Sequence, residues 1–421
     1  MTKPEKKIGL TTKIFLGLSL GLLVGVLFKL YVPGGYVRDV VFVDGLFYVL
    51  GQGFVRLMKL LVVPLVFFSI ACGASAVGDA SSLGKVGGKT LAFYLATTAI
   101  AVSVALTVGS LIGPGRGLDM TALETRELAE NVAPTVKETL LNIVPENPVA
   151  SLAGGVMLQV IFFALLVGIL IAKMGERASA IATFNAQCND LMMEMTSLIM
   201  RFAPIGVFCL IARTFANLGF DAFLPLLKYM LAVCLALFVQ CVLVYQAMLL
   251  GLTRLNPIRF LRKFFPVMAF AFSTSTSNAT IPMNIDCLVK KIGVSRKLAS
   301  FAIPLGATIN MDGTSIMQGV AVMFAAQAYG VHLELTQYLT VIATATLASI
   351  GTAGIPSVGL VTLSMVFMSV GLPVEAIGLI IGVDRILDML RTAVNITGDA
   401  VCATIVAKQN GDFDADVFWD R

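Results

Sequence analysis

Toward its C-terminal end the chain runs from Asp384 to Asp399 as DRILDMLRTAVNITGD, with polar residues at helical spacing. Asp384, Asp388, Arg391, Asn395 and Asp399 follow at intervals of 4, 3, 4 and 4, so one face of an α-helix carries all five, with Thr392 beside them. Ile386, Leu387, Leu390, Val394 and Ile396 cover much of the remaining surface and suit packing. With Arg385 the run holds five charges. Each costs roughly 2.5–3.5 kcal/mol at mid-membrane, about 12–17 together if left unpaired. They must pair with one another, with ions, with a bound solute or with water in a cavity. Three acids stand against two arginines, which favours a bound cation over a purely structural ion-pair stripe.

A second cluster, Asn310-Met-Asp-Gly-Thr314, interrupts an apolar run from Phe301 to Ala328. Gly313, directly after a carboxylate, weakens the helix and frees backbone carbonyls. A carboxylate, an amide, a hydroxyl and free carbonyls are hard oxygen ligands, suited to Na⁺ rather than a transition metal. His332 is the only histidine, and the seven cysteines are scattered without a CxxC or Cys/His cluster, so they read as buried structural thiols.

The elements that must position these groups are membrane spans. Hydrophobic residues make up 57% of the 421 and charged ones 13%. Soluble domains sit near ~45–50% and ~25%. A spanning helix needs ~20 mainly apolar residues, and the chain supplies Ile8–Leu30, Leu46–Ser69, Leu91–Gly113, Met157–Ala172 and Leu224–Leu252. The first of these follows Lys3, Lys6 and Lys7, but is too long for a signal-peptide core and lacks a cleavage site, so it reads as a retained span. Basic residues gather at the N-terminus, at Arg254–Lys263 and at Lys290–Lys297, whereas the loop from Gly113 to Pro148 is acidic. The positive-inside rule puts the basic junctions in the cytoplasm and the acidic loop outside. The net charge of +5 reflects these loops and offers no patch for nucleic acid.

Six ordinary spans fit before about residue 252. Beyond it, residues 257–292 hold two short apolar arms around Ser273-Thr-Ser-Thr-Ser-Asn278, and residues 335–372 repeat the design around Gly351-Thr-Ala-Gly-Ile-Pro356. Arms of about a dozen residues cannot cross a core ~30 Å thick. A kinked single span is the other reading. Against it stand Gly351, Gly354, Pro356 and Gly359, and non-helical backbone at membrane depth survives only inside protein or beside a water-filled cavity. Paired interrupted segments point to a transporter binding site.

Together Asn310–Thr314, the serine-rich first hairpin, Gly351–Pro356 and Asp384–Asp399 closely resemble the dicarboxylate/amino acid:cation symporter family, the glutamate transporters. The resemblance covers nearly the whole chain. It implies an all-α membrane protein of eight transmembrane helices plus two re-entrant hairpins with inverted repeats, in the cytoplasmic (inner) membrane, with cytoplasmic termini, as a homotrimer. It implies scaffold helices in 1–85, transport-domain helix 3 in 86–113, the acidic loop with scaffold helices 4 and 5 in 114–222, and the rest of the transport domain in 223–421. That domain would slide against the scaffold as an elevator, importing acidic amino acids with sodium.

Carried over by resemblance, Asp388 takes the substrate ammonium and Arg391 the side-chain carboxylate, where a planar fork suits bidentate pairing. Asn395, Thr392 and Ser277 meet the α-carboxylate, and Thr314 and the Gly359 backbone help at the side-chain end. One sodium site uses Asp399, Asn395, Asn310 and the Gly306 carbonyl. A second uses Thr308, Met311, Ser349, Ile350 and Thr352. A third combines Asp312 and Asn310 with Tyr94, Thr97 and Thr98.

Departures from relatives are Ser275 and Met389, where some carry a supporting arginine, and Asn278, where serine is common. Within the family a C4-dicarboxylate or neutral amino acid substrate stays open, as does proton coupling; Asp388 speaks for an amino acid, Arg391 for an anionic side chain and Asp399 for sodium. An intramembrane aspartyl protease would need a GxGD-type pair that the chain lacks, and a cation channel would not need Arg391. An enzyme is not expected.

Overall fold

A computed structural model describes residues 10–80, 85–118, 141, 143–218, 223–350 and 358–420. Among them every regular element is helical, and the only β pairing is an isolated bridge between Val294 and Phe413. In chain order the helices are α1 (Leu10–Tyr31), α2 (Tyr48–Ala80, continuing a π-helical Tyr36–Phe47), α3 (Lys85–Ile112), α4 (Pro148–Gly154), α5 (Met157–Met174), α6 (Ser179–Met200) and α7 (Ala203–Leu218). Then come α8 (Phe223–Phe238), α9 (Tyr245–Thr253), α10 (Pro257–Thr274), α11 (Ser277–Cys287), α12 (Arg296–Ile309), α13 (Asp312–Ala328), α14 (Leu335–Ser349), α15 (Val358–Ser369), α16 (Ile377–Asn410) and α17 (Ala415–Trp419). A π-helical turn, Val239–Val244, joins α8 to α9.

Among the described residues five helical stretches are long and apolar enough to cross a membrane: Thr12–Tyr31, Tyr36–Ser75, Val86–Ile112, Gln159–Met200 and Phe223–Thr253. Their outer faces stay apolar, as at Leu20, Leu60, Leu170 and Leu231, which only a lipid solvent or further protein would reward.

Packing divides the helices into two groups. α1 lies along α7, and α2 packs on α5, α6 and α7. The approach of α1 to α7 is close because Gly21 and Gly25 face the backbone of Phe208 and Ala212; a Cβ on either would stand 2.6 Å from a carbonyl oxygen. In the second group α3 packs on α8, α13 and α14, while α16 packs on α3, α8, α10, α12 and α13. The groups touch where α15 meets α2 and where α16 meets α7 and α1.

Two breaks shape the second group. α10 and α11 are joined by Ser275 and Thr276 and pack against each other. Ser275 holds a left-handed φ of 52°, an uncommon conformation for a residue with a side chain. The other break falls between α12 and α13, at Asn310 and Met311, whose backbones leave helical geometry (ψ 88° and 47°). At the far end, α17 buries Phe418 under α10, and Lys263 Nζ donates to the carbonyls of Lys291, Val417 and Phe418 at 2.9–3.0 Å.

Candidate functional site

The polar face predicted for Asp384–Asp399 lies along α16 and is buried throughout, Arg391 being 1% exposed. Arg391 Nη1 stands 2.8 Å from Asp384 Oδ1, and its Nη2 donates to Asp388 Oδ1 at 2.7 Å. Arg385 Nη1 reaches Asp388 Oδ2 at 3.2 Å. Thr392 Oγ1 donates to the Asp388 carbonyl at 2.8 Å, satisfying a helix group at the level of the ion pairs.

Charge counting set cation binding against self-pairing for this stripe, and in the folded chain four of its five charges pair with one another. Asp384, Arg385, Asp388 and Arg391 pair among themselves, because spacings of three and seven residues stack their side chains on successive turns. Asp399 is the acid left over, and among the described residues it accepts from the Asn310 amide, at 2.9 Å. Gly359 and Thr314 border the guanidinium: a Cβ on Gly359 would lie 2.9 Å from Thr314 Cγ2 and 3.6 Å from Arg391 Nη1.

About one to two turns beyond Arg391 along α16 the environment changes from ion pairs to neutral donors and oxygens. The break at Asn310 and Met311 faces Asn395 and Asp399. Its freed backbone is answered from α16: the Gly313 N–H donates to Asn395 Oδ1 at 2.7 Å, and Asn395 Nδ2 donates to Met311 Sδ at 3.3 Å. Only glycine fits there, since a Cβ on Gly313 would stand 2.6 Å from the Arg391 carbonyl.

From α3, Thr98 Oγ1 donates to Asp312 Oδ1 at 2.6 Å and Thr97 Oγ1 to Asn310 Oδ1 at 3.4 Å. Both threonine hydroxyls also lie within hydrogen-bond distance of the Tyr94 carbonyl, at 3.0 and 2.9 Å, while the Tyr94 hydroxyl donates to the Ala302 carbonyl at 2.9 Å. The Gly306 Cα faces the Asp399 carboxylate and the Tyr94 hydroxyl. Among the described residues neither Asp312 nor Asp399 has an arginine or lysine partner. Two buried carboxylates amid an amide oxygen, hydroxyls and a helix break are a donor set that fits a hard monovalent cation.

Thus Tyr94, Thr97, Thr98, Asn310, Asp312, Asn395 and Asp399 come together, as do Thr314, Gly359, Asp388, Arg391 and Thr392. The remaining predicted residues make their hydrogen bonds elsewhere among the described residues. Ser277 is buried at the start of α11, and its carbonyl accepts from Thr280 Oγ1 at 2.6 Å. The hydroxyls of Thr308 and Ser349 turn back to the Leu305 and Thr346 carbonyls. Ile350 ends α14 in extended backbone. Thr352, the rest of Gly351–Pro356 and most of the acidic loop lie outside the described residues.

Two residues that sequence reasoning passed over, Gln240 and Tyr245, also donate to Asp312, at 3.3 and 2.6 Å. The signal for them was partial: Leu224–Leu252 carries Lys228, Tyr229, Gln240, Tyr245 and Gln246 among apolar residues, and nothing in their spacing says which of them face Asp312.

Known proteins resemble this chain over almost its full length. The family model described as "Sodium:dicarboxylate symporter family" matches residues 10–409. A protein of Bacillus caldotenax named proton/sodium-glutamate symport protein is 36% identical over 417 residues, covering 97% of this chain and 96% of its own. The proton/glutamate-aspartate symporter of Escherichia coli (strain K12) is 36% identical over 376 residues, 86% of this chain and 85% of its own. A C4-dicarboxylate transport protein of Bacillus subtilis (strain 168) is 33% identical, with 87% and 88% covered. These relatives are transporters rather than enzymes, and with a helical fold whose longest apolar elements suit a bilayer, the chain belongs to the sodium:dicarboxylate symporter family.

Proposed function

We propose that the protein imports aspartate or glutamate together with sodium ions by an elevator-type alternation of access, as a homotrimer of the cytoplasmic membrane. The observation that carries this reading is the division of α16 into an Arg391–Asp388 end and an Asp399–Asp312 end. An amino acid with an acidic side chain supplies an ammonium for Asp388 and a carboxylate for Arg391, so both partners of the resting ion pair exchange each other for substrate. Sodium at the other end neutralises Asp312 and Asp399, whose burial is otherwise expensive. Asn395 lies between the two ends and links them through the Gly313 N–H, which gives cation binding a route to substrate binding.

On this reading α10–α11 and α14–α15 are re-entrant hairpins, and α12–α13 is a single span broken at the ion site. Helix α3 and α8–α16 form the moving domain, and α1, α2 and α5–α7 the scaffold. The packing of each group within itself supports the division. The second hairpin closes over bound substrate. Ser277, Thr308, Ser349, Ile350 and Thr352 join the site as substrate or sodium ligands when it closes.

A second reading, proton in place of sodium, is favoured by relatives whose names join the two ions. Uptake of labelled aspartate into proteoliposomes separates them. Uptake that requires an inward sodium gradient and resists excess succinate and serine is the expected result. Uptake driven by a proton gradient alone would replace sodium, competition by succinate would remove Asp388 from its role, and competition by serine would remove Arg391.

A further inference from the structure

The reading above leaves Gln240 and Tyr245 without a task, yet both are wholly buried against Asp312. Gln240 Nε2 and the Tyr245 hydroxyl donate to the same carboxylate oxygen, Oδ2, at 3.3 and 2.6 Å, while Oδ1 is left to Thr98 at 2.6 Å. Residues five apart on an α-helix point about 140° away from each other. The π-helical turn Val239–Val244, with its i→i+5 bonding, narrows that angle and aims both side chains at one atom. Tyr245 reaches this place along the surface of α16, where only glycine leaves room: a Cβ on Gly398 would stand 2.5 Å from its hydroxyl oxygen.

The Gln240 amide carries a further mark. Its N–H₂ also reaches the Thr97 carbonyl at 3.4 Å, and its Oε1 is buried with no hydrogen-bond partner. A buried amide oxygen is seldom left so; here the amide is turned by the negative charge of Asp312 at the expense of its own acceptor.

We propose that Gln240 and Tyr245 are positioning residues of the Asp312 cation site. They hold Oδ2, so that Oδ1 stays directed at Thr98 and toward Thr97 and Asn310. This rests on the reading of Asp312 as a sodium ligand.

The test compares the full-length protein with Tyr245→Phe and Gln240→Leu in proteoliposomes. Half-saturating sodium for aspartate uptake is read separately from half-saturating aspartate at saturating sodium. Loss of an outer-shell hydrogen bond raises the sodium requirement by on the order of tenfold. The aspartate constant stays within about twofold, because uniform substrate contacts are untouched. Should a variant fail to transport, the sodium concentration giving half of its own thermal stabilisation, with choline as control, reads the same site. An unchanged sodium requirement in both variants, or an equal loss in both constants, overturns the inference while sodium coupling stands. Wild-type uptake indifferent to sodium overturns the coupling and the inference together.

Discussion

Arg391 and Asp388 hold each other at 2.7 Å in a site with almost no exposure, so in the function proposed above each is the other's stand-in for substrate. Removing the guanidinium takes a partner from two buried carboxylates, Asp384 and Asp388, and leaves Asp388 with Arg385 alone, a truncation that costs about 2–5 kcal/mol. Arg391→Cys is therefore expected to lower aspartate uptake by roughly 30-fold or more, and to move preference toward neutral amino acids; competition assays with serine and alanine check this. Asp399→Asn keeps the shape and the Asn310 contact but removes a charge. Half-saturating sodium should rise on the order of tenfold, and a sodium titration that superimposes on wild type would remove Asp399 from the cation site. At this scale the sequence was informative wherever partners share one helix. The spacing of 384, 388, 391, 395 and 399 alone puts five side chains on one face. Gln240 and Tyr245 escaped because they lie 72 and 67 residues from Asp312, and because a π turn sets their direction in a way that a 3.6-residue period does not express.

Among elements, the broken pair α12–α13 is the most demanding. The break was legible from Asn310-Met-Asp-Gly-Thr314, since a glycine after a carboxylate inside an apolar run has no ordinary helical explanation. Its partner was not legible, for nothing in the spacing tells that Gly313 presses on the Arg391 carbonyl. Gly313→Ala forces α13 away from α16 and disturbs the N–H given to Asn395. Overpacking of this kind costs about 1–3 kcal/mol. The expected outcome is a lower thermal midpoint and impaired coupling, seen as aspartate uptake that no longer steepens with sodium. The turn at Ser275 was foreseen as a polar tip, but its left-handed backbone was not, because serine is an uncommon choice for that conformation.

For the whole molecule, apolar outer faces on α1, α2, α5 and α8 leave room for both lipid and neighbouring copies. Mass measurement in detergent should give three times the 44.7 kDa of one chain, and a monomer at working concentration would remove the trimeric scaffold. The closed quartet of Asp384, Arg385, Asp388 and Arg391 bears on leakage. An emptied substrate end is already electrically neutral, so it offers no barrier to a carrier loaded with sodium alone. On the proposed elevator reading, charge at Asp388 and Arg391 is therefore not what forbids slippage, and that duty would pass to closure by the proposed second hairpin. Sodium efflux from proteoliposomes without aspartate should be slight in the native protein. It should rise when the second hairpin is stapled shut by a cross-link, because a carrier closed over nothing would then be free to shuttle.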